Sequence, residues 1–415
     1  MADTGTYPQK VAVIGGGAAG LTAALAARYN GAEVTVLEQK DRVGKKILAT
    51  GNGRCNLSNT DLNVSHYHGK NPKFAFGALN RFDFHQTMEL FERLGIAWKV
   101  EDGGKVYPMS DQASSVLDVM RHELEILRVE TKVETKVNAI TPQSSGFFLQ
   151  LNSGECLNAH RVIVTTGGKA APNLGSNGSG YTLAEQSGHS IVEPFPALVQ
   201  LKLSAGFLKQ ISGIKFEGEA EIWAAGKCRA QAVGEILFTN YGISGPPILA
   251  LSRKAGEYLC TGEKVFIRVN LINFMSPQEL ETFLVNRLQQ QAHKSAFFSF
   301  VGFINKRLVP VILQEAGVSD IHKKAGQVTT GERNAILKIL QDWRFEVTGT
   351  NSWTAAQVTA GGVDVKDINP KTMESKLVPG IFFAGEVLDI DGDCGGYNLQ
   401  WAWSSGYVAG ESAAT

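Results

Sequence analysis

Three glycines at fixed spacing carry the first recognisable chemistry in this sequence. The apolar run Val11-Ala12-Val13-Ile14 leads straight into Gly15-Gly16-Gly17-Ala18-Ala19-Gly20 and then an Ala-rich stretch from Leu21 to Tyr29. A stop at Asn30-Gly31 follows, then a second β-branched run, Val34 to Leu37, closed by Glu38. The pattern predicts strand, helix, strand, with G-x-G-x-x-G at the first turn. Each glycine has its own duty there: Gly15 permits the tight turn, Gly17 lets the backbone approach a diphosphate, and Gly20 lets helix and strand pack closely. Ala18 and Ala19 open the helix, so their N–H groups and the positive end of the helix dipole are offered to phosphate oxygens. Glu38, with Gln39 beside it, is placed to accept hydrogen bonds from ribose hydroxyls. The chemistry is that of holding a dinucleotide.

The next segment narrows the choice of dinucleotide. Gly44-Lys45-Lys46-Ile47-Leu48-Ala49-Thr50-Gly51-Asn52-Gly53-Arg54-Cys55-Asn56 is basic and glycine-rich, a loop that flavoproteins often carry after the second strand. Lys45, Lys46 and Arg54 are expected to neutralise phosphate or a substrate anion, and Thr50, Gly51, Gly53, Cys55 and Asn56 to run along the cofactor. FAD is therefore preferred to NAD.

Other elements must complete that site. Arg161 to Val164 predicts a buried strand running on through Thr165 and Thr166 to Gly167-Gly168. The alternation over Val133 to Val137 predicts a strand beside the adenine, with Val137 at the cofactor, and Asn138 and Gly154 mark a small hairpin beyond it. Ile381 to Ala384 predicts a strand ending at Gly385-Glu386. The acid would bond a ribityl hydroxyl, and Asp389 is a second candidate for that role. Gly396-Tyr397-Asn398-Leu399 opens a helix with small residues at Ala402, Ser405, Gly406 and Ala409, a narrow face suited to close packing on the sheet. Its N-terminus is expected at the flavin pyrimidine ring, where the dipole stabilises negative charge on reduction. Thr359 and Gly361, in a Thr-Ala-Gly-Gly turn, are expected near the ring.

For catalysis the candidates are Arg54, Cys55 and Cys394, the two thiols as proton donors to a reduced carbon, although free cysteines more often simply pack. Gly175-Ser176-Asn177-Gly178-Ser179-Gly180 has glycines but follows no clean strand, so a dedicated NAD(P)H domain is not expected. NAD(P)H remains open as a transient reductant. His66 and His68 form an HxH pair without further ligands nearby, and no metal site is expected.

The chain of 415 residues is long enough for two or three domains, and 43% hydrophobic content is enough for sizeable cores. A formal net charge of +0 gives no global field for nucleic acid. Five scattered cysteines, no signal peptide and no bilayer-length apolar run predict a cytoplasmic protein with free thiols.

Taken together, GKKILATGNGRCN (44–56), LFTNYGISGP (237–246), VTAGGVD (358–364) and GEVLDIDGDCGGYNLQWAW (385–403) resemble the BaiN-like family of FAD-dependent flavoproteins, which includes aminoacetone oxidase-like members. The resemblance covers nearly the whole chain. It implies an α/β fold: a Rossmann-like, glutathione-reductase-like FAD-binding domain with an inserted β-barrel-like domain and a small helical domain. The corresponding ranges are 1–194 and 355–415 for FAD, 195–272 with about 342–354 for the barrel, and 273–341 for the helices. Family members often have His where this chain has Asn240. The resemblance implies flavin redox chemistry, with substrates linked to amine oxidation, bile-acid reduction and reduction of uridine to dihydrouridine in ribosomal RNA. The partner is thus a small molecule or ribosomal RNA, with a flavin-bound scaffold as the reading without turnover. An RNA partner would need the cations of the helical insert, Lys294, Lys306, Arg307, Lys323, Lys324 and Arg333, to form one surface.

Overall fold

A computed structural model of the chain describes residues 8–415. β1 (Lys10–Ile14) buries its last four residues and leads into α1 (Ala18–Tyr29) and β2 (Glu33–Leu37). This βαβ unit sits in a five-stranded parallel sheet whose order is Ile381–Phe383, Arg161–Val164, β1, β2, Glu130–Lys132. Its central strands bury continuous apolar runs, Val11 to Ile14 and Val162 to Val164, because a parallel sheet is covered on both faces. The chain divides into two units: one runs to Pro196 and resumes at Ala356, and the other is Ala197–Ala355.

In the first unit the C-terminal helix, Tyr397–Ala414, turns its small residues toward α1. A Cβ on Gly406 would lie 2.3 Å from the carbonyl oxygen of Ala19, and one on Gly410 would lie 2.1 Å from that of Ala23. The sequence expects this narrow face on the sheet. Its tightest contacts are instead with the backbone of α1, since two Ala/Gly-rich helix faces can approach more closely than larger side chains allow.

Two sequence expectations for local structure are corrected. Val133 to Val137 is not a strand: Glu134 has φ +52°, and the segment turns between Glu130–Lys132 and the strand Val137–Gln143. That strand joins Gly146–Leu151 and Cys156–Ala159 in an antiparallel sheet, with Asn138 at a register shift and Gly154 in the second turn. Thr359 to Gly362 is not a turn but part of a wholly buried strand, Val358–Val363. Its glycines serve close approach, for a Cβ on Gly361 would meet the Glu193 carbonyl oxygen at 2.7 Å.

The second unit is a closed six-stranded barrel ordered Leu201–Leu203, Gly242–Ser244, Lys227–Thr239, Lys215–Ala224, Val265–Asn270, Trp343–Thr350. Helices Pro277–Gln290, Ala296–Phe300, Leu308–Glu315 and Thr330–Gln341 come between the last two strands and share one apolar core with the barrel. Asn240 lies exposed in the turn between Lys227–Thr239 and Gly242–Ser244.

Candidate cofactor and active site

At the glycine motif the sequence roles are visible in the geometry. Gly15 has φ +103°, and a Cβ there would meet the Thr165 carbonyl oxygen at 2.6 Å. A Cβ on Gly20 would lie 1.9 Å from the Gly15 carbonyl oxygen. Gly17 differs, because its Cβ would meet no atom of the chain within 4 Å. The first intrahelical bond runs from Leu21 N–H to the Gly17 oxygen (2.9 Å), so the N–H groups of Ala18, Ala19 and Gly20 stand at the helix mouth. A close backbone, an open face and a free helix N-terminus are what a diphosphate requires.

Glu38 is buried and accepts from the backbone N–H groups of Gly16 and Lys40, both at 2.8 Å, which fixes its carboxylate beside the motif. Gln39 donates to the Gly175 oxygen and accepts from the Asn177 side chain. The Gly175–Gly180 segment, without a role in the sequence reading, therefore closes over this end of the cradle, and Gly178 donates its N–H to the Gly168 oxygen. Val137 is buried in the sheet core, at the strand that follows this turn.

The basic loop is tied down by carboxylates. Lys45 pairs with Asp41, Lys46 with Glu386 at 2.6 Å, and Arg54 with Glu101 and Asp111 while lying 4.0 Å from the Tyr107 ring centroid. These acids hold the Arg54 guanidinium above its ordinary pKa. All three cations expected to meet phosphate or substrate thus have acidic partners within the protein. The loop is bent by left-handed backbone at Gly51, Asn52, Gly53 and Cys55, and the Thr50 hydroxyl donates to the Ile47 oxygen. Asn56, with its amide nitrogen toward the Val106 and Ser58 oxygens, accepts from Gly396 N–H at 3.1 Å and so fastens the loop to the start of the C-terminal helix. Cys55 is 0% exposed and burial pushes its thiol up to about 12. A thiol so enclosed suits packing better than the proton-donor role expected of it.

The strand Arg161–Val164 delivers Thr165, whose hydroxyl donates to the Ile14 and Gly15 oxygens, and Thr166, which touches the position of Gly180. Gly167 has φ +70°, and Gly168 lies so close to Thr359 that a Cβ would meet the Thr359 Oγ1 at 2.3 Å. Thr359 accepts from the N–H groups of Lys169 and Ala170 and donates its own N–H to Glu386 at 2.8 Å. Gly385 has φ +77°, donates to Ser405 and accepts from the Trp401 indole. Asp389 is buried and accepts from Lys70 N–H.

At the far end, Tyr397 stacks on His66 (centroids 4.4 Å apart) and meets Tyr67 edge-on at 6.0 Å. Burial, then Asp61 and Asp393, push the Tyr397 phenol up to about 12. Asn398 accepts from Gly392 N–H and donates to the Gly392 and Asp393 oxygens, holding the preceding loop, while Leu399 packs on the core. Cys394 is exposed; burial by its surroundings still raises its thiol, with Lys105 opposing and Asp393 adding to the shift. It remains protonated and reachable.

Residues that sequence reasoning missed are drawn in from far along the chain. The phenols of Tyr67 (2% exposed) and Tyr181 (5% exposed) are buried with no hydrogen-bond partner. Burial holds the Tyr181 phenol well above its usual range, with Glu386 and Asp389 adding to the effect. Unpaired buried donors are rare and point to a bound ligand's acceptors. With the open Gly17 face, they fit a long polar cofactor. Asp393 bridges two imidazoles, with His66 Nδ1 at 3.0 Å and His68 Nε2 at 2.7 Å. Among the described residues no group of three or more His, Cys, Asp or Glu side chains could hold a metal ion.

Fold and cradle define the class: this is an FAD-dependent oxidoreductase built on a Rossmann-type domain. The chain belongs to the HI0933-like Rossmann family, whose description as the HI0933-like protein Rossmann domain matches residues 9–412. It is 38% identical over 407 residues to a 3-dehydro-bile acid delta(4,6)-reductase of Clostridium scindens, covering 98% of this chain and 99% of that protein. It is 32% identical to a ribosomal RNA dihydrouridine synthase of Escherichia coli, covering 96% of each. Among solved structures it is similar to a 3-ketosteroid-delta4-(5alpha)-dehydrogenase from Rhodococcus jostii, with a TM-score of 0.48 and 15% identity over 100% of this chain and 99% of that one. Among the described residues no helix is long and apolar enough to cross a membrane.

Proposed function

We propose that this chain uses FAD to reduce a carbon–carbon double bond conjugated to a carbonyl in a small molecule. The observation that carries this is chemical: the activities named for relatives at 38% and 32% identity both saturate such a bond, one in a 3-keto diene, the other in the uracil ring. When bound, FAD supplies the hydride. The protein has to place the substrate and provide a proton for the neighbouring carbon. Cys394 suits that second task better than Cys55, being exposed and held as the neutral thiol. Gly15, Gly17, Ala18, Ala19 and Gly20 take the diphosphate, Glu38 the ribose, and Glu386 with Tyr181 the ribityl chain. NAD(P)H is the proposed reductant, arriving transiently, and the setting is cytoplasmic.

Ribosomal RNA is the second reading, favoured by the 32% relative. Against it, Lys323 is paired with Glu332 at 2.6 Å, and Arg307 donates to the backbone oxygens of Gln210 and Ser212. These two cations of the expected patch are already engaged.

The test is anaerobic. The holoenzyme is bleached with NADPH or NADH, then mixed with a 3-keto-4,6-diene bile acid or with ribosomal RNA lacking dihydrouridine. Return of the oxidised flavin band with the bile acid alone supports the proposal, and return with RNA alone replaces it by the second reading. A flavin that neither substrate reoxidises removes both.

A further inference from the structure

Tyr67 is a buried residue between two partly exposed histidines. Along His66-Tyr67-His68 the side chains alternate, so that Tyr67 is buried while both histidines are only partly so, and the pair Tyr67–His68 is held antiparallel to Asp391–Gly392. The register Asp391↔His68 and Gly392↔Tyr67 brings Asp393 to the two imidazoles. Asp61 approaches the other nitrogen of His66, Nε2, at 3.3 Å. The groups facing this cluster are Asp61 and Asp393, the phenols of Tyr67 and Tyr397, and, beyond Asp393, Cys394 and Lys105. The Tyr67 phenol, buried and without an acceptor, marks a ligand position on the inner side.

We propose that His66, Asp393 and His68 are the proton store of the cofactor site: the cluster takes up one proton from solvent when the bound cofactor is reduced and releases it on reoxidation. The inference rests on the FAD reading, in which the start of the C-terminal helix at Tyr397 faces the ring. Reduction adds negative charge there, and nearby negative charge favours the protonated imidazole. Only an imidazole N–H bond is made or broken, and in the test dithionite supplies the electrons. The cluster is already biased toward holding a proton. Burial alone would lower His66, but its bonds to Asp393 and Asp61 outweigh that and raise it. Burial alone would raise Asp393, but the two imidazoles outweigh that and lower it. Because His66 stacks on Tyr397 and is placed to act on the ring only through it, it is a positioning and charge-balancing residue.

The experiment measures the flavin midpoint potential of the holoenzyme against pH by dithionite titration with an indicator dye, in the wild type and in a His66→Gln/His68→Gln variant. A steeper pH dependence across the imidazole range in the wild type, absent from the variant at unchanged flavin content, is the expected result. Identical pH profiles in the two proteins overturn the proposal. Where the double variant fails to fold, ring-15N histidine NMR of the wild type decides. The His66 imidazole is expected to bind its proton at least about threefold more tightly in the reduced than in the oxidised holoenzyme. No change on reduction overturns the proposal. A folded protein without flavin absorbance sinks the cofactor reading as well, an outcome visible before any potential is measured.

Discussion

The two ends of the cofactor cradle work by opposite means. At the glycine end the surface offered to ligand is main chain: Gly15 and Gly20 bring backbone within contact of backbone, and Gly17 leaves a face bare. At the end proposed to face the ring the surface is instead made of polar side chains: Tyr67, Tyr397, His66, His68, Asp393 and Cys394. Binding a diphosphate needs only fixed N–H groups. Handling electrons needs groups whose charge can change.

The strongest challenge to that comparison is steric. Gly20→Val places a branched side chain where a single Cβ would already sit 1.9 Å from the Gly15 oxygen, and backbone cannot yield. Loss of more than about 4 kcal/mol is expected, read as insoluble or flavin-free protein. Gly17→Ala is the control, since its Cβ meets nothing of the chain. Its melting temperature without FAD should match the wild type, while FAD binds about tenfold more weakly, a loss of about 1.4 kcal/mol in a fluorescence titration. A Gly17→Ala protein that binds FAD normally would break the assignment of this face to the diphosphate.

At the other end, Tyr181→Phe removes a buried hydroxyl that has no partner in the chain. The apoprotein should gain about 1 kcal/mol and the holoprotein should lose that gain, so the change in melting temperature on adding FAD shrinks. The smallest effect expected is that of Asp393→Asn. His66 is raised in the folded state, so its contribution is full below the ordinary histidine pKa and fades as pH rises through the folded value. Asp393 is lowered, so its share is present above the ordinary aspartate pKa and fades as pH falls through the folded value. The variant should therefore melt below the wild type near pH 5.5 and converge with it toward pH 8.5, by no more than about 1 kcal/mol for a partly exposed pair. Parallel melting curves at every pH would show that the ion pair contributes nothing to stability.

The same contrast explains what could be read without coordinates. The glycine end is legible because strand, turn, helix and acid lie within 29 consecutive positions, from Lys10 to Glu38, and Gly20 answers to Gly15 inside the same motif. The other end is legible only in part: Tyr397 and Cys394 are read from the sequence, but Tyr67 and Tyr181 lie hundreds of positions away from them along the chain and carry no local signal. His66 and His68 were visible as a pair, but their carboxylate arrives from the other end of the chain. Two local errors have physical causes. The alternation over Val133 to Val137 carries no sign that Glu134 adopts left-handed backbone. The glycines of Thr359 to Gly362 imitate a turn, although they are there because Glu193 and Val387 backbone oxygens pass close by.

The seam between α1 and the C-terminal helix has a consequence for how this protein is made. Ala23 emerges early and the Gly410 that covers it emerges roughly 390 residues later, so at ribosomal speed the first helix waits on the order of 20–80 seconds for its cover. Through that interval its Ala- and Leu-rich flank is an adhesive surface on a nascent chain. Soluble yield is therefore expected to respond to synthesis rate and chaperone occupancy as well as to the mature contacts.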